Sequence, residues 1–449
     1  MTPGGATAGG DPGLSGLFRT AVRVEPGELP AVGWSFLYFF CLLGGYYILR
    51  PVRDTMGIAG GVDQLQWLFT GTFVAMLLAV PLYGWVTSRY RRSTFLPVVY
   101  GFFILSILAF YLLFSMDADE VVLARSFFIW TSVFNLFVVS VFWSFMADVY
   151  SSAQAKRLFG VIAAGGTLGA ICGPLATAIL ADGLGTVNLL PLSALALSVA
   201  LLCVDRLRRW DSYWRRQSAE EVSSGEVFIG GRTLDGVRRL LTSPYLLGIS
   251  LFILLYTSLS TFLYFQQAHI VEAAFATDGE RTRVFALIDF AVNSLTIIVQ
   301  LFVTSRLIRY LGLPVTLTLL PVIVVTGFLV LALLPVFLVL GVFQVLRRAG
   351  NYAVTRPARE MLFTVLPRTD KYKSKNVIDT VVYRGGDAVS AWFFAGLMAL
   401  GLGVTGTALM AAVMAVFWGT IGYWLGRRHM QLGVEAVRPQ LAISRAGGA

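Results

Sequence analysis

Runs of about 20 apolar residues recur from Trp34 to Trp424, and no other feature constrains this chain as strongly. A helix rising 1.5 Å per residue needs about 20 residues to cross a hydrocarbon core about 30 Å thick. Inside that core every backbone N–H and C=O must be satisfied within the chain, so runs of this length mean membrane-spanning helices. Composition agrees. Of 449 residues, 57% are hydrophobic and 13% charged, where a soluble domain carries about 25% charge. Twelve spans are expected, at about 31–49, 67–87, 95–114, 121–147, 158–180, 187–204, 245–269, 284–304, 315–333, 335–352, 377–400 and 404–425.

The one long polar insert, 206–243, carries Arg206, Arg208, Arg209, Arg215 and Arg216 and divides the spans six and six. The predicted fold is therefore an all-α integral membrane protein of two six-helix bundles, 31–205 and 244–426, joined by a cytoplasmic linker at 206–243. A disordered tail is expected at 1–30 and a second tail at 427–449. Weak repeats support duplication. T-S-R-Y-R-R at 87–92 answers T-S-R-L-I-R at 304–309, and Gly165-Gly166 answers Gly385-Gly386.

Arginine and lysine cluster in one set of loops: Arg89, Arg91 and Arg92; Lys156 and Arg157; Arg306 and Arg309; Arg427 and Arg428. Acids dominate the other set: Asp117, Asp119, Glu120, Asp182, Glu272, Asp278 and Glu280, with Arg281 and Arg283 as exceptions. The bias predicts a bacterial inner-membrane protein with both termini cytoplasmic. In a background lacking Cys41, Cys172 and Cys203, a membrane-impermeant thiol reagent added outside should label a cysteine at Asp119 and miss one at Ser223. The reverse pattern would invert the topology. Those three native cysteines lie in apolar runs and only His269 and His429 are present, so no disulfide framework, metal or cofactor is expected. The net charge of +10 lies in membrane-flanking loops and points to no nucleic acid. The expected partners are the lipid bilayer and a small anionic substrate, and the expected state is a monomer.

Residues 347–387 carry charges that membrane spans normally exclude. Such charges are costly and by default mark a substrate or ion pathway. Helical spacing puts Gln344, Arg348, Asn351, Thr355 and Arg359 on one face, pairs Arg356 with Glu360, and aligns Asp379, Tyr383 and Asp387 beside Arg384. Candidate substrate-binding residues are Arg50, Arg53, Arg348, Asn351, Tyr352, Arg356, Arg359, Asp379, Tyr383 and Arg384. Guanidinium forks suit phosphate oxygens, and tyrosines suit an organic moiety. Candidate gating or coupling residues are Asp54, Asp148, Lys156, Arg157, Asp289, Glu360, Lys371, Lys373, Lys375 and Asp387. Asp148 with Lys156, and Glu360 with Lys371, are expected to re-pair between states. Asp289 is either a proton site or the partner of a cavity arginine. Gly165, Gly169 and Gly173 form a small-residue face suited to close helix packing.

Three stretches, Y-I-L-R-P-V-R-D at 47–54, F-W-S-F-M-A-D-V-Y-S-S-A-Q-A-K-R-L-F-G at 142–160, and R-P-A-R-E-M-L-F at 356–363 with K-Y-K-S-K-N-V-I-D at 371–379, resemble the ATP:ADP antiporter (nucleotide transporter) family, a divergent relative of the major facilitator superfamily. The resemblance implies twelve helices, a central cavity and nucleotide counter-exchange. It matches a basic residue closing the first span to Arg53, an acid closing the fourth to Asp148, and a lysine-rich turn before an I-D pair to Lys373, Lys375 and Asp379. The chain departs from it at Pro51 and Val52, where polar residues are usual, and at neutral Thr261, where an acid is usual. The leading reading is alternating-access exchange of an anionic, phosphorylated metabolite, without enzymatic activity. Two alternatives stay open: proton-coupled symport or efflux through Asp289, and a non-transporting scaffold.

Overall fold

The computed structural model describes residues 25, 27–89, 92–116, 119–218, 242–366, 374, 375 and 377–446. They form α1 (Leu29–Ala59), α2 (Leu65–Arg89), α3 (Arg92–Phe114), α4 (Glu120–Val149), α5 (Ser152–Leu184), α6 (Leu190–Ser218), α7 (Pro244–Ala274), α8 (Asp278–Phe302), α9 (Thr304–Leu333), α10 (Phe337–Gly350), α11 (Arg356–Leu362), α12 (Tyr383–Ala399) and α13 (Gly403–Ala446). Ten of the described helices are long and apolar enough to cross a membrane. The tenth and eleventh expected spans differ. Each is interrupted by a π-helical turn, Asn351–Thr355 between α10 and α11 and Ile378–Val382 before α12.

Local signals set many helix starts. Asp119 accepts from the Val121 and Val122 amides, Ser243 accepts from the Leu246 amide, and Ser151 and Thr277 close capping boxes with Gln154 and Glu280. Pro30 and Pro244 sit in first turns, where a missing N–H costs nothing. Several expected boundaries shift outward. Leu29 is already helical, so the tail expected over 1–30 is shorter at its inner end, and α1 continues through Pro51 to Ala59. Helix α6 enters the expected linker as far as Ser218, and α13 runs on from 427 to Ala446, where a tail is expected. In each case the helix extends beyond its apolar segment, because local bonding continues where hydropathy falls. Most of the expected N-terminal tail and linker residues 219–241 lie outside the described residues.

Helix α5 packs on α1 through its glycines. A methyl group on Gly169 would overlap the Phe40 carbonyl and lie 2.9 Å from the Gly44 nitrogen. One on Gly165 would meet the Phe36 backbone, and one on Gly173 the Gly44 carbonyl and Tyr47 Cβ. The second half repeats the contact in outline. A Cβ on Gly386 of α12 would strike Thr257 and Leu254 of α7, as one on Gly166 would strike Phe39 and Leu43 of α1.

One buried cluster joins α1 and α3–α6 around Tyr38, Tyr100, Phe127, Phe134 and Phe142. A second joins α7–α13 around Phe252, Phe262, Phe328 and Trp418, and also takes in Ile58, Val62, Leu65, Leu68 and Phe128 of the first bundle. The bundles thus share a core at the end where α1 finishes. Polar contacts seal the same end. Thr282 of α8 meets the hydroxyls of Thr55 (2.7 Å) and Thr186 (3.0 Å), Arg283 pairs with Asp182 at 2.6 Å, and Trp392 Nε1 donates to Thr70 at 3.0 Å. The opposite end, bearing Glu28, Arg157 and Glu360, is where the central cavities widen. Contacts between the bundles thus close the Asp182 end, and the larger cavities open toward the Glu360 end.

Candidate functional site

The site begins with a proline. Pro357 has no N–H to offer the carbonyl of Ala353, four residues back, so that acceptor is free. Thr304 Oγ1 donates to it at 2.8 Å, and Gln300 Nε2 donates to the neighbouring Tyr352 carbonyl at 3.3 Å. The Arg356 amide bonds back five residues to Asn351, which makes the turn a π-turn. Such turns recur at functional sites because the added residue re-aims the side chains that follow. Here it divides the expected single stripe. Gln344 and Arg348 face a deep chamber, whereas Asn351, Thr355, Arg356 and Arg359 face a vestibule nearer the mouth.

Three connected cavities follow the axis between the bundles. The deep chamber, about 230 Å³, collects Arg50, Arg53, Arg347, Arg348 and Arg384 against Asp54 and Asp387. A wider chamber of about 750 Å³ is bounded by Tyr46, Tyr47, Asn135, Asn293, Arg356 and Glu360. The vestibule, about 450 Å³, holds Arg359, Lys375, Asp379 and Tyr383. Tyr352 and Arg384 border all three.

Arginines of the deep chamber are held in different ways. Arg53 forms a 2.6 Å ion pair with Asp54 and lies 4.9 Å over the Phe128 ring, while Tyr264 donates to the same carboxylate at 3.1 Å. Asp289, 1% exposed, lies 2.6 Å from Arg348 and 3.1 Å from Arg50 through one oxygen, Oδ1. The Arg348 contact is ionic and off the hydrogen-bond direction, so Arg348 Nη2 and Nε and Asp289 Oδ2 lack aligned partners. Arg347, 6% exposed, is bound by neutral groups: Ser260 Oγ at 2.6 Å and Gln344 Oε1 at 3.0 Å. Gln344 is itself held by Gln267. Among the described residues no carboxylate pairs with Arg347. Asp387 is held loosely, 3.7 Å from Arg384 and 3.5 Å from Thr261 Oγ1.

Several expected pairings are corrected. Glu360 binds Arg359 (3.3 Å) and Lys375 instead of Arg356, and Arg359 also approaches Asp379 at 3.5 Å. The π-turn and the helix end bring those residues together and leave Arg356 exposed to the cavity. Lys371 and Lys373 lie outside the described residues. Asp148 and Lys156 are exposed and do not line the three cavities. Arg157 turns away from the axis to Glu28 and Glu25, each at 3.0 Å, clamping the start of α1 onto α5. Burial alone would raise the Glu28 carboxyl, but the Glu25 amide, Gln154 and Arg157 outweigh it and hold it below the ordinary carboxylate range.

A family model described as Major Facilitator Superfamily matches residues 35–364. The chain belongs to the Major Facilitator Superfamily. As expected of a major facilitator fold, its bundles enclose a central cavity and the chain is an integral membrane transporter. Among curated relatives it is similar to ADP,ATP carrier protein 1 of Chlamydia muridarum (strain MoPn / Nigg), 23% identical over 83% of this chain and 82% of the relative. It is equally similar, at 23% identity, to ADP,ATP carrier protein 1 of Chlamydia pneumoniae, over 88% of this chain and 75% of the relative. Among solved structures it shares its fold with the POT family transporter PepTSo, at TM-score 0.63 and 13% identity over 89% of this chain and 98% of that one. The nucleoside transporter NupG matches at TM-score 0.63 and 12% identity, over 89% and 99%.

Sequence reasoning passed over Arg347, Ser260 and Tyr256, which line the deep chamber of this major facilitator protein together with Tyr264 and Gln267, two of the neutral hydrogen bonders that the seventh span offers. Arg347 adjoins Arg348, and helical spacing admits only one of two neighbours to a given face. The usable signal was the pair of glutamines, Gln267 and Gln344, each within an apolar span.

Proposed function

We propose that this chain is a secondary active transporter that exchanges an anionic, phosphorylated metabolite, of the nucleotide class, by alternating access across the bacterial inner membrane. The observation that carries the reading is Arg347, a buried guanidinium in an accessible chamber with only neutral partners among the described residues. A buried charge is strongly disfavoured unless compensated, and a substrate oxyanion would complete the set. Arg50, Arg348 and Arg384 share the chamber and would share that anion. The 750 Å³ chamber lies within the range of about 300–1,000 Å³ that suits small organic ligands. Tyr46, Tyr47 and Tyr352 line it and would contact an organic moiety. The two curated relatives named as ADP,ATP carriers support the substrate class.

In this reading the open end faces the cytoplasm together with both termini, the described state is inward-facing, and the contacts around Thr282 and Arg283 form the outer closure. Glu360, Arg359 and Lys375 surround the inner mouth and would re-pair as it narrows. Labelled nucleotides and sugar phosphates offered to proteoliposomes test this. Uptake is expected only into vesicles preloaded with unlabelled substrate, and it should be insensitive to protonophores. Uptake driven by a pH gradient into empty vesicles would replace exchange with proton symport.

A further inference from the structure

Asp289 occupies a place that the exchange reading does not by itself require. It projects from α8 of the second bundle and meets Arg348 on α10 of the same bundle at 2.6 Å. The same oxygen meets Arg50 at 3.1 Å, and Arg50 belongs to α1 of the first bundle. The ion pair therefore crosses between the two bundles, which move relative to each other in the alternating-access reading. Arg50 and Arg348 both line the deep chamber, whereas Asp289 lies behind them, 1% exposed and outside the lining. One carboxylate serves two guanidiniums through one oxygen, and its Oδ2 is buried without a hydrogen-bond partner. This is incomplete compensation: two cations face the chamber with a shared counter-ion behind them.

From this arrangement we infer that Asp289 is the resident counter-anion of the substrate site, which holds the two bundles together while the site is empty and yields Arg50 and Arg348 to an entering anion. The inference rests on the transport reading above. Separating Arg50 from Asp289 in an empty site strands charges in a buried position, which opposes reorientation of the empty protein. A bound phosphoryl group supplies several oxygens to the same guanidiniums, so the bundles can part without stranding either charge. A ligand shifts a conformational equilibrium only by interacting differently with the two states, and exchange of counter-ions provides that difference. Obligate exchange, with a slow return of the empty carrier, follows from one carboxylate.

The test uses full-length protein in proteoliposomes loaded with labelled ADP, with glucose 6-phosphate as a second probe. Efflux is measured with and without external unlabelled probe, and affinity is measured by titration in detergent. In wild type, efflux should require external substrate. Asp289→Asn should raise efflux without counter-substrate by about tenfold or more, the lower end of the coupling measured for close charge pairs. It should retain exchange and bind the probe more tightly, because no carboxylate competes. Arg50→Gln should raise uncoupled efflux in the same way but bind more weakly, having lost a guanidinium. Equal loss of coupling with opposite changes in affinity is a signature that general loosening of the fold does not produce. Wild-type coupling in either folded variant would overturn the inference. So would proton-driven uptake abolished by Asp289→Asn. Should Asp289→Asn not fold, Arg50→Gln alone decides the coupling. If wild type neither binds nor exchanges either probe, the transport reading itself falls. If wild type exchanges and the variants keep its coupling, only the role of Asp289 falls.

Discussion

Replacing Arg347 with methionine should raise the melting temperature of the substrate-free protein while removing most of its affinity for substrate. Both effects come from one fact: the guanidinium is buried and its contacts, Ser260 and Gln344, are neutral. Desolvating an ion costs several kcal/mol, and methionine of similar length removes that cost. The substitution orphans Gln344 Oε1, which returns about 1–3 kcal/mol, so the net change should remain stabilising. Substrate binding responds oppositely. A charge-assisted contact contributes about 1.5–3 kcal/mol, which corresponds to roughly 10- to 150-fold in affinity. Arg347→Lys should fall between, because an ammonium restores charge without the planar fork. Thermal unfolding with and without nucleotide reads both quantities in one experiment. A methionine variant that melts lower and binds with wild-type affinity would make Arg347 a structural residue and remove the main support for an anionic cargo.

Gly169→Val should be among the most damaging substitutions at a residue that touches none of the charged groups. Its side chain would have to enter the contact between α5 and α1, where the Phe40 carbonyl and Gly44 nitrogen already occupy the space. Overpacking costs about 1–3 kcal/mol when side chains can give way, and more where backbone blocks the path. Here two helix backbones must separate, so about 3 kcal/mol or more is expected. The consequence reaches function, because α1 carries Arg50 and Arg53 only a few residues beyond Gly44. Pushing α1 away moves both arginines relative to Asp289 and Arg348. Gly160→Ala is the matched control on the same helix, since a Cβ there meets nothing within 4 Å. It should leave stability unchanged or raise it by up to about 1 kcal/mol, through alanine's higher helix propensity. Equal melting of Gly169→Val and wild type would show that α1 and α5 are not in close contact in the membrane.

Some of this was legible before any coordinates. The number of spans, the small-residue face of α5 and the concentration of charge between 347 and 387 all follow from local properties: apolar length, side-chain size and the cost of intramembrane charge. The resemblance carried by the three motif stretches pointed to the same superfamily as the family match. Helix ends were less legible. Hydropathy reports where lipid begins, whereas the helices of α1, α6 and α13 continue by hydrogen bonding past that limit.

The sequence by itself determined the class of this protein, because a bilayer allows few ways to bury so many apolar runs and their backbone. It also determined which segment is charged at membrane depth. It did not determine which arginine meets which acid. That depended on the π-turn at Asn351–Thr355, which separates Arg348 from Arg356 and Arg359 by more than regular spacing allows. It depended equally on the approach of two bundles, which brings Arg50 to an acid more than 200 positions away in the chain. Charge pairing is a property of distance in space, and helical periodicity supplies only distances along one helix. Arg347 and Arg348 are therefore alike in sequence, yet the tertiary structure alone gives one of them a carboxylate and, among the described residues, leaves the other without.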